Sequence, residues 1–457
     1  MSGAGAAPRV PAWRESEVRA ALGLPPGKED RVFATISTDT RSLVPGALFV
    51  ALAGERFDGH DYLGAAAAAG AVAAVVRQGT PEVAGLELLP VDDTLRAYGR
   101  LALARRRRIR GPVVAVTGTN GKTSTKEMLA GVLRTRYAVH ATRANLNNLV
   151  GVPLTVLEAP EGTEALVVEA GANLPGEIAR YREILEPDLV IVTNAVAGHL
   201  EGFGSLAGVL EEKLSLTADA TVVIVGADPP ELAAGARARA RRVRTAALRE
   251  AELVPERVEI GADARPVLTL EGRTIRLAAR GLHQADNAVR VWAAVQELGL
   301  DRDACARALE DFALPAGRGE LIQAGGLTIL NDSYNANPQS FRSAIATASA
   351  LRRGRRLVFV AGTMRELGTA SGELHAEIAR ELVALAPELL AGVGEFARAL
   401  APHAAALGER IITADDPLAL VPALTARLRG DEVVVLKASR GVALERILPA
   451  LTATART

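Results

Sequence analysis

The 457-residue sequence has a single cysteine, Cys305. No disulfide can form within the chain, and a reducing compartment is expected. Excess charge of either sign is also missing, with 53 Lys and Arg against 53 Asp and Glu. That balance points to no nucleic-acid partner and no anionic membrane surface. Aromatics make up only 3% of the chain, whereas 49% of it is hydrophobic and alanine is abundant. The mixture suits helices packed on parallel sheets rather than a β-sandwich. Long apolar runs are absent too. The most apolar stretch, Gly64 to Val76, is mostly alanine and too short to span a bilayer. The start, MSGAGAAPRVPAW, has no apolar run, so no secretory leader is expected. A cytoplasmic protein without stable membrane insertion follows as the expectation.

The length predicts two to four domains. Three blocks differ in texture, with boundaries expected at 1–110, 111–314 and 315–457. The first contains a strand, ALFVALAG, then a small-residue helix running into another strand. It ends near ARRRRIRGP (Ala104 to Pro112), where no aromatics interleave with the arginines. A solvated helix end feeding a linker is expected there rather than a nucleic-acid patch. The second block has ALVVEAGA, DLVIVTNA and TVVIVGAD, continuous apolar runs of strand length. Such runs mark parallel strands buried on both faces. The third repeats the rhythm with LTILNDSY, RRLVFVAGTM, ELLAGVGE, RIITADD and EVVVLKASRG. The expected fold class is α/β in three domains: a small N-terminal α/β domain, a central P-loop-type parallel sheet, and a C-terminal Rossmann-like sheet.

The second block opens on VVAVTGTNGKTSTKEML (Val113 to Leu129). A short strand meets the turn Thr117, Gly118, Thr119, Asn120, Gly121, and a helix begins near Lys122, Thr123 and Ser124. Gly118 and Gly121 let backbone N–H groups approach a ligand's oxygens, and the helix start favours an anion. Lys122 can reach terminal phosphates, and the Thr123 hydroxyl can hold Mg²⁺. The general pattern wants a glycine five places before Gly121, where Val116 stands. A ligand-free tight turn is the bland alternative, but strand, turn and helix together favour ATP.

Other residues invite chemistry. Glu169 ends an apolar strand, at the edge where open α/β sheets bind ligands, and its carboxylate suits Mg²⁺. A solvated strand-end glutamate is the alternative. His199 lies in a glycine-bounded loop, where a histidine is often simply exposed. In SLAGVLEEKLSL, helical spacing puts Leu206, Val209, Leu210 and Lys213 on one inward face, with Glu211 and Glu212 elsewhere. Geometry alone would let the Lys213 stem pack and its ammonium snorkel.

TGTNGKTST resembles the phosphate loop of the Mur ligases, the ATP-dependent amide-forming ligases of cell-wall metabolism, which are related to those of folate metabolism. Further segments match in order: Ser37 to Tyr62, Ala144 to Leu157, Val167 to Ile178, Asn194 to Val209 and Leu330 to Ile345, the last containing DSYNANP. The resemblance covers nearly the whole chain. It implies ATP, two magnesium ions, and two substrates, a UDP-N-acetylmuramoyl-tripeptide and D-alanyl-D-alanine, on a monomer. It implies an acyl phosphate made from the tripeptide carboxylate. By resemblance, Asn287 reads adenine, Arg318 reaches the ATP phosphates from the hinge, and Asp332 contacts ribose. Arg318 stands at the second domain boundary, so it would reach ATP once the last domain closes. His199 becomes a magnesium contact, and Lys213 a carbamate that helps hold the second ion. Thr38, Asp39, Thr40, Arg41, Asp58, Gly59 and His60 would form the uridine site. Asn145, Asn147, Asn148, Tyr334, Asn335 and Asn337 would serve substrate binding, the last three near the dipeptide.

Five positions depart from the family's usual residues: Ala170, Ser215, Gln284, Thr363 and Ala438. Near alternatives are the ligase that adds the third muropeptide residue, which should lack DSYNANP, and a folate-polyglutamate-type ligase, which has no use for the first block. A P-loop switch that hydrolyses ATP leaves the third block unexplained. A non-catalytic nucleotide-binding module would need neither Glu169 nor Lys213.

Overall fold

Strands form where β-branched and apolar residues run together, and helices where alanine and leucine recur on one stripe. The computed structural model describes residues 10–54 and 57–454. The first nine residues, on which much of the leader expectation rests, lie outside the described residues, as do Glu55 and Arg56. Among the described residues no helix is long and apolar enough to cross a membrane. The chain divides into two compact units, one of residues 1–115, 137–172 and 176–189, the other of 116–136, 173–175 and 190–457.

The first unit holds a four-stranded parallel sheet in the order Ile36–Ser37, Leu48–Val50, Ala73–Arg77, Glu87–Val91. Phe49, Ala74 and Val76 meet Leu63 and Ala66 of the following helix in its core. The expected ALFV strand and small-residue helix are both present. The unit also takes in strands Ala165–Glu169 and Val139–Ala141, paired in parallel. The arginine run differs from expectation. Arg105 is buried and donates to the Ala159 carbonyl at 2.8 Å. Arg106 donates to Leu185 O and Glu186 O, and Arg107 pairs with Glu186. Arg108 lies over the Trp13 ring. These side chains satisfy carbonyls and carboxylates of neighbouring segments, so the run is a tie between elements rather than a solvated end.

The second unit contains strands Val243–Thr245 and Val222–Val225 and all but the first residue of Leu189–Val192 as successive neighbours, then the end of Val113–Thr117. It also contains an antiparallel sheet that the sequence reading did not anticipate, Arg257–Ile260, Pro266–Leu270 and Arg273–Arg276. Its second turn is the two-residue loop Glu271–Gly272, both at positive φ (48° and 73°). That geometry matches strand twist, but glutamate is not its usual signal.

The C-terminal sheet runs Glu320–Ala324, Leu327–Asp332, Val433–Lys437, Leu357–Gly362, Leu389–Val393, Ile411–Ala414. All neighbours are parallel except the first pair. Phe341 and Ile378 cover one face, and Leu420 and Leu451 the other. Two covered faces explain why these strands read as uninterrupted apolar runs. The Rossmann-like expectation holds, with the antiparallel edge strand as an addition.

Helix Ser371–Ala384 buries His375, 1% exposed. Its Nε2 accepts from Met364 N at 2.9 Å, and its Nδ1 donates to Ser371 O at 2.7 Å. Burial holds its pKa below the ordinary value. The unfolded chain therefore takes up this proton first as pH falls, and stability drops. We expect thermal stability to decline as pH falls below about 6.5, the free histidine value. His375→Gln should show a shallower decline over that window; an unchanged pH profile would remove His375 from the account.

Candidate active site

The turn after Val113–Thr117 is braced from behind. Gly118 has φ 141°, and a Cβ there would lie 2.0 Å from Thr193 Oγ1. Thr193 Oγ1 donates to Asn120 O at 2.5 Å, and Asn194 Oδ1 accepts from Asn120 N at 3.0 Å. Thr119 N donates to Asn194 O, and Thr119 Oγ1 to Val196 O. Gly121, at φ 79°, caps helix Lys122–Leu133. Thr117, Thr119, Thr123 and Ser124 are all buried. Lys122 Nζ donates to Gly118 O at 2.7 Å and Thr119 O at 3.0 Å. The loop is thus a preformed cradle with its lysine folded onto it, and first-turn N–H groups without intrahelical acceptors at its mouth. Thr193 and Asn194 were missed in the sequence reading, although a polar pair directly after an apolar strand was the available signal.

Residues distant in sequence converge on this loop. A Cβ on Gly121 would lie 2.5 Å from Asn287 Oδ1, so the expected adenine reader packs on the loop itself. Asn287 is buried and held by Gln284 Oε1 and Arg290 Nη1. Gln284, a departure from the family's usual residue, is one of the two side chains that orient it. From the C-terminal sheet, Asn337 Nδ2 donates to Asn120 Oδ1 at 2.6 Å, while Asn120 Nδ2 reaches Asn337 Oδ1 and Gln339 Oε1. Asn337 is also the N-cap of helix Pro338–Arg352. The DSYNANP segment and the loop are thus in direct contact. Asp332 pairs with Lys437 Nζ at 2.7 Å, which also donates to Asn335 O. Asn335 Oδ1 accepts from Ala336 N.

His199 and Lys213 share a neighbour. The His199 ring stands edge-on to Phe203, with centroids 6.5 Å apart, and Lys213 Nζ lies 5.3 Å from the same ring's centroid. His199 Nδ1 is 2.5 Å from Glu366 Oε2. That bond holds the Glu366 carboxyl below its ordinary pKa, helped by Arg365 and Lys122. His199 and Glu366 both carry left-handed backbones, φ 54° and 65°. Paired strain of this kind is characteristic of functional loops. Helix Leu206–Leu214 corrects the expected face. Val209 and Lys213 are buried as predicted, but Leu206 is 47% exposed and Glu212 is buried. Leu214 packs on Gly235, so this short helix is covered from more than one side.

In the first unit, Glu169 is 2% exposed and accepts from Asn147 Nδ2 at 2.8 Å. A buried strand-end carboxylate is an oxygen donor of the type a hard cation takes. Asn148 Oδ1 accepts from Gly151 N, starting helix Gly151–Leu157, and Asn145 is exposed. Thr38, Asp39, Thr40 and Arg41 follow strand Ile36–Ser37, and Arg41 holds the Asp39 carboxyl down to about 2. His60 Nδ1 meets Asp58 at 2.5 Å, Arg77 Nη2 donates to Asp58 Oδ2, and Arg77 N donates to His60 Nε2. A Cβ on Gly59 would clash with the Leu52 backbone. Asp58, Gly59 and His60 therefore build the turn themselves, while a cavity of about 600 Å³ lined by His60, Asp61, Arg77 and Gln78 opens beside it.

Three family models match in succession: "Mur ligase family, catalytic domain" over 32–106, "Mur ligase middle domain" over 116–295, and "Mur ligase, glutamate ligase domain" over 317–440. UDP-N-acetylmuramoyl-tripeptide–D-alanyl-D-alanine ligase of Bacillus subtilis is 33% identical, covering 93% of this chain and 94% of its own. The chain belongs to the Mur ligase family. The Escherichia coli ligase of the same name is 35% identical over 92% of this chain and 94% of its own. Among solved structures, MurF from Acinetobacter baumannii superimposes with TM-score 0.88 at 28% identity, covering 97% and 99% of the two chains. MurF ligase from Thermotoga maritima in complex with ADP gives 0.81 at 26%, covering 92% and 98%.

Three of the departures of this Mur ligase make definable local contacts, and nothing in the structure explains Ala170. Thr363 Oγ1 accepts from Glu395 N at 3.0 Å, giving helix Glu395–Leu400 a side-chain acceptor. Ser215 Oγ donates back to Glu212 O within its own turn. Ala438 Cβ would be 2.8 Å from a Cβ at position 362, which is glycine.

Proposed function

We propose that this Mur ligase joins D-alanyl-D-alanine to UDP-N-acetylmuramoyl-tripeptide, using ATP, to give the UDP-muramoyl-pentapeptide precursor of peptidoglycan. One observation carries the reading: ligases of that name align with more than nine-tenths of both chains. The braced phosphate loop, in contact with the DSYNANP segment, supplies a place for the chemistry. A tripeptide carboxylate oxygen attacks the γ-phosphorus, and ADP leaves. The dipeptide amine attacks the acyl carbon, loses a proton, and phosphate departs with the carboxylate oxygen. Catalysis of this kind is largely positioning and charge stabilisation. Lys122 is placed to leave its loop carbonyls for the transferring phosphoryl group.

The finer assignments are ours. Thr123, Glu169, His199 and a carbamylated Lys213 are proposed as magnesium ligands; the oxygen donors among them fit a hard cation. Magnesium, when bound, neutralises phosphate charge. Asn287, Arg318 and Asp332 are assigned to ATP. The carboxyl ends of the first unit's strands, with Arg77 added to the expected residues, are assigned to the uridine end. We propose domain boundaries at 1–110, 111–314 and 315–457; the succession of three family matches supports a three-part division. A reaction fed by ATP and a UDP-linked peptide places the enzyme in the cytoplasm in our reading. Phosphate release that needs the UDP-tripeptide and D-alanyl-D-alanine together is the expected result. Equal release with neither present would favour a P-loop switch.

A further inference from the structure

DSYNANP was expected near the dipeptide, yet Tyr334 faces the hinge arginine. Arg318 Cζ lies 3.9 Å from the centroid of the Tyr334 ring, and Arg440 Cζ lies 5.6 Å away. The hinge is pinned to the same place. Tyr334 N donates to Gly317 O at 3.1 Å, and Glu320 Oε2 accepts from both Gly317 N and Asn331 Nδ2. Gly317 itself is at φ 76°, a conformation that suits glycine. Arg440 has its own anchor, Glu445 at 3.1 Å. Arg318 has none: among the described residues its buried Nε has no hydrogen-bond partner, and it enters no ion pair.

An arginine side chain has many rotamers, and a guanidinium with no carboxylate partner would wander among them. A ring face attracts it without using its donors, because cation–π attraction acts through the flat face and leaves the N–H rim available. We infer that Tyr334 is a positioning residue for Arg318, holding its guanidinium ready for an anionic oxygen of the nucleotide, and that it serves the ATP end of the reaction rather than the dipeptide. The inference rests on the reading above that Arg318 contacts the ATP phosphates.

The test is binding of a non-hydrolysable ATP analogue, with KM for ATP and for D-alanyl-D-alanine measured on the full chain. Tyr334→Leu should weaken analogue binding by about two- to thirtyfold, the range of cation–π strength. KM for the dipeptide should stay put, and Tyr334→Phe, which keeps the ring, should retain nucleotide affinity. In an Arg318→Ala background, Tyr334→Leu should add nothing. A ring-fluorinated tyrosine at position 334 keeps the shape while withdrawing π-electron density; it should weaken nucleotide binding even if Tyr334→Leu folds poorly. Unchanged affinity with the fluorinated ring, or additive losses in the double variant, would overturn the positioning role alone. A raised dipeptide KM with normal nucleotide affinity would return Tyr334 to the dipeptide site. Arg318→Ala with normal nucleotide affinity would overturn the phosphate reading of Arg318 and the inference with it.

Discussion

Lys122→Ala is expected to lower turnover by on the order of a hundredfold or more, the scale of removing one preorganised charge from a transition state. The lysine's partners include two loop carbonyls, Gly118 O and Thr119 O. Neither requires a cation, and both lie within reach of an incoming phosphate. The loop should survive the change, because Thr193 and Asn194 hold it independently. Losing two partly buried hydrogen bonds should cost on the order of 1–3 kcal/mol of stability. Steady-state turnover beside thermal unfolding separates the two effects. A folded variant with near-wild-type turnover would show that this loop is not the catalytic phosphate site.

Lys213→Ala should be nearly inactive, by about a hundredfold or more if an anionic metal ligand is lost. Lys213 is 1% exposed, with its ammonium beside the Phe203 ring that also carries His199. A cation so placed would repel magnesium; a carbamate would attract it. A small added carboxylate should partly restore the alanine variant. Labelled CO₂ should give a carbamate carbon signal in the wild type and none in the variant, a readout independent of activity. Fully active Lys213→Arg would sink the idea, since arginine cannot form this ligand.

What the sequence revealed follows the range of its signals. Glycine and lysine spacing encodes the phosphate loop locally, and runs such as Val433–Lys437 encode doubly covered strands, so both were legible. The sheet of Arg257–Arg276 was not, because its strands are short, partly exposed and joined by an atypical turn. Helical spacing placed Val209 and Lys213 correctly but assumed one buried face, whereas the nine-residue helix is covered on more than one side. The Asn120–Asn337 pair joins residues 217 apart, and His199–Glu366 joins two loops. No local pattern announces such meetings; they appear only once the C-terminal sheet is folded against the loop. Asp58 and His60 show the converse, since residues whose pattern suggests a ligand site also shape their own turn.

The central claim is an acyl phosphate made on the tripeptide and resolved by the dipeptide amine. UDP-N-acetylmuramoyl-tripeptide carrying ¹⁸O in its reacting carboxylate, incubated with the protein, ATP, Mg²⁺ and D-alanyl-D-alanine, tests it most directly. Mass spectrometry should find the pentapeptide product together with inorganic phosphate bearing one carboxylate-derived ¹⁸O per amide formed. Phosphate released without the label, or without any joined peptide, would contradict the account.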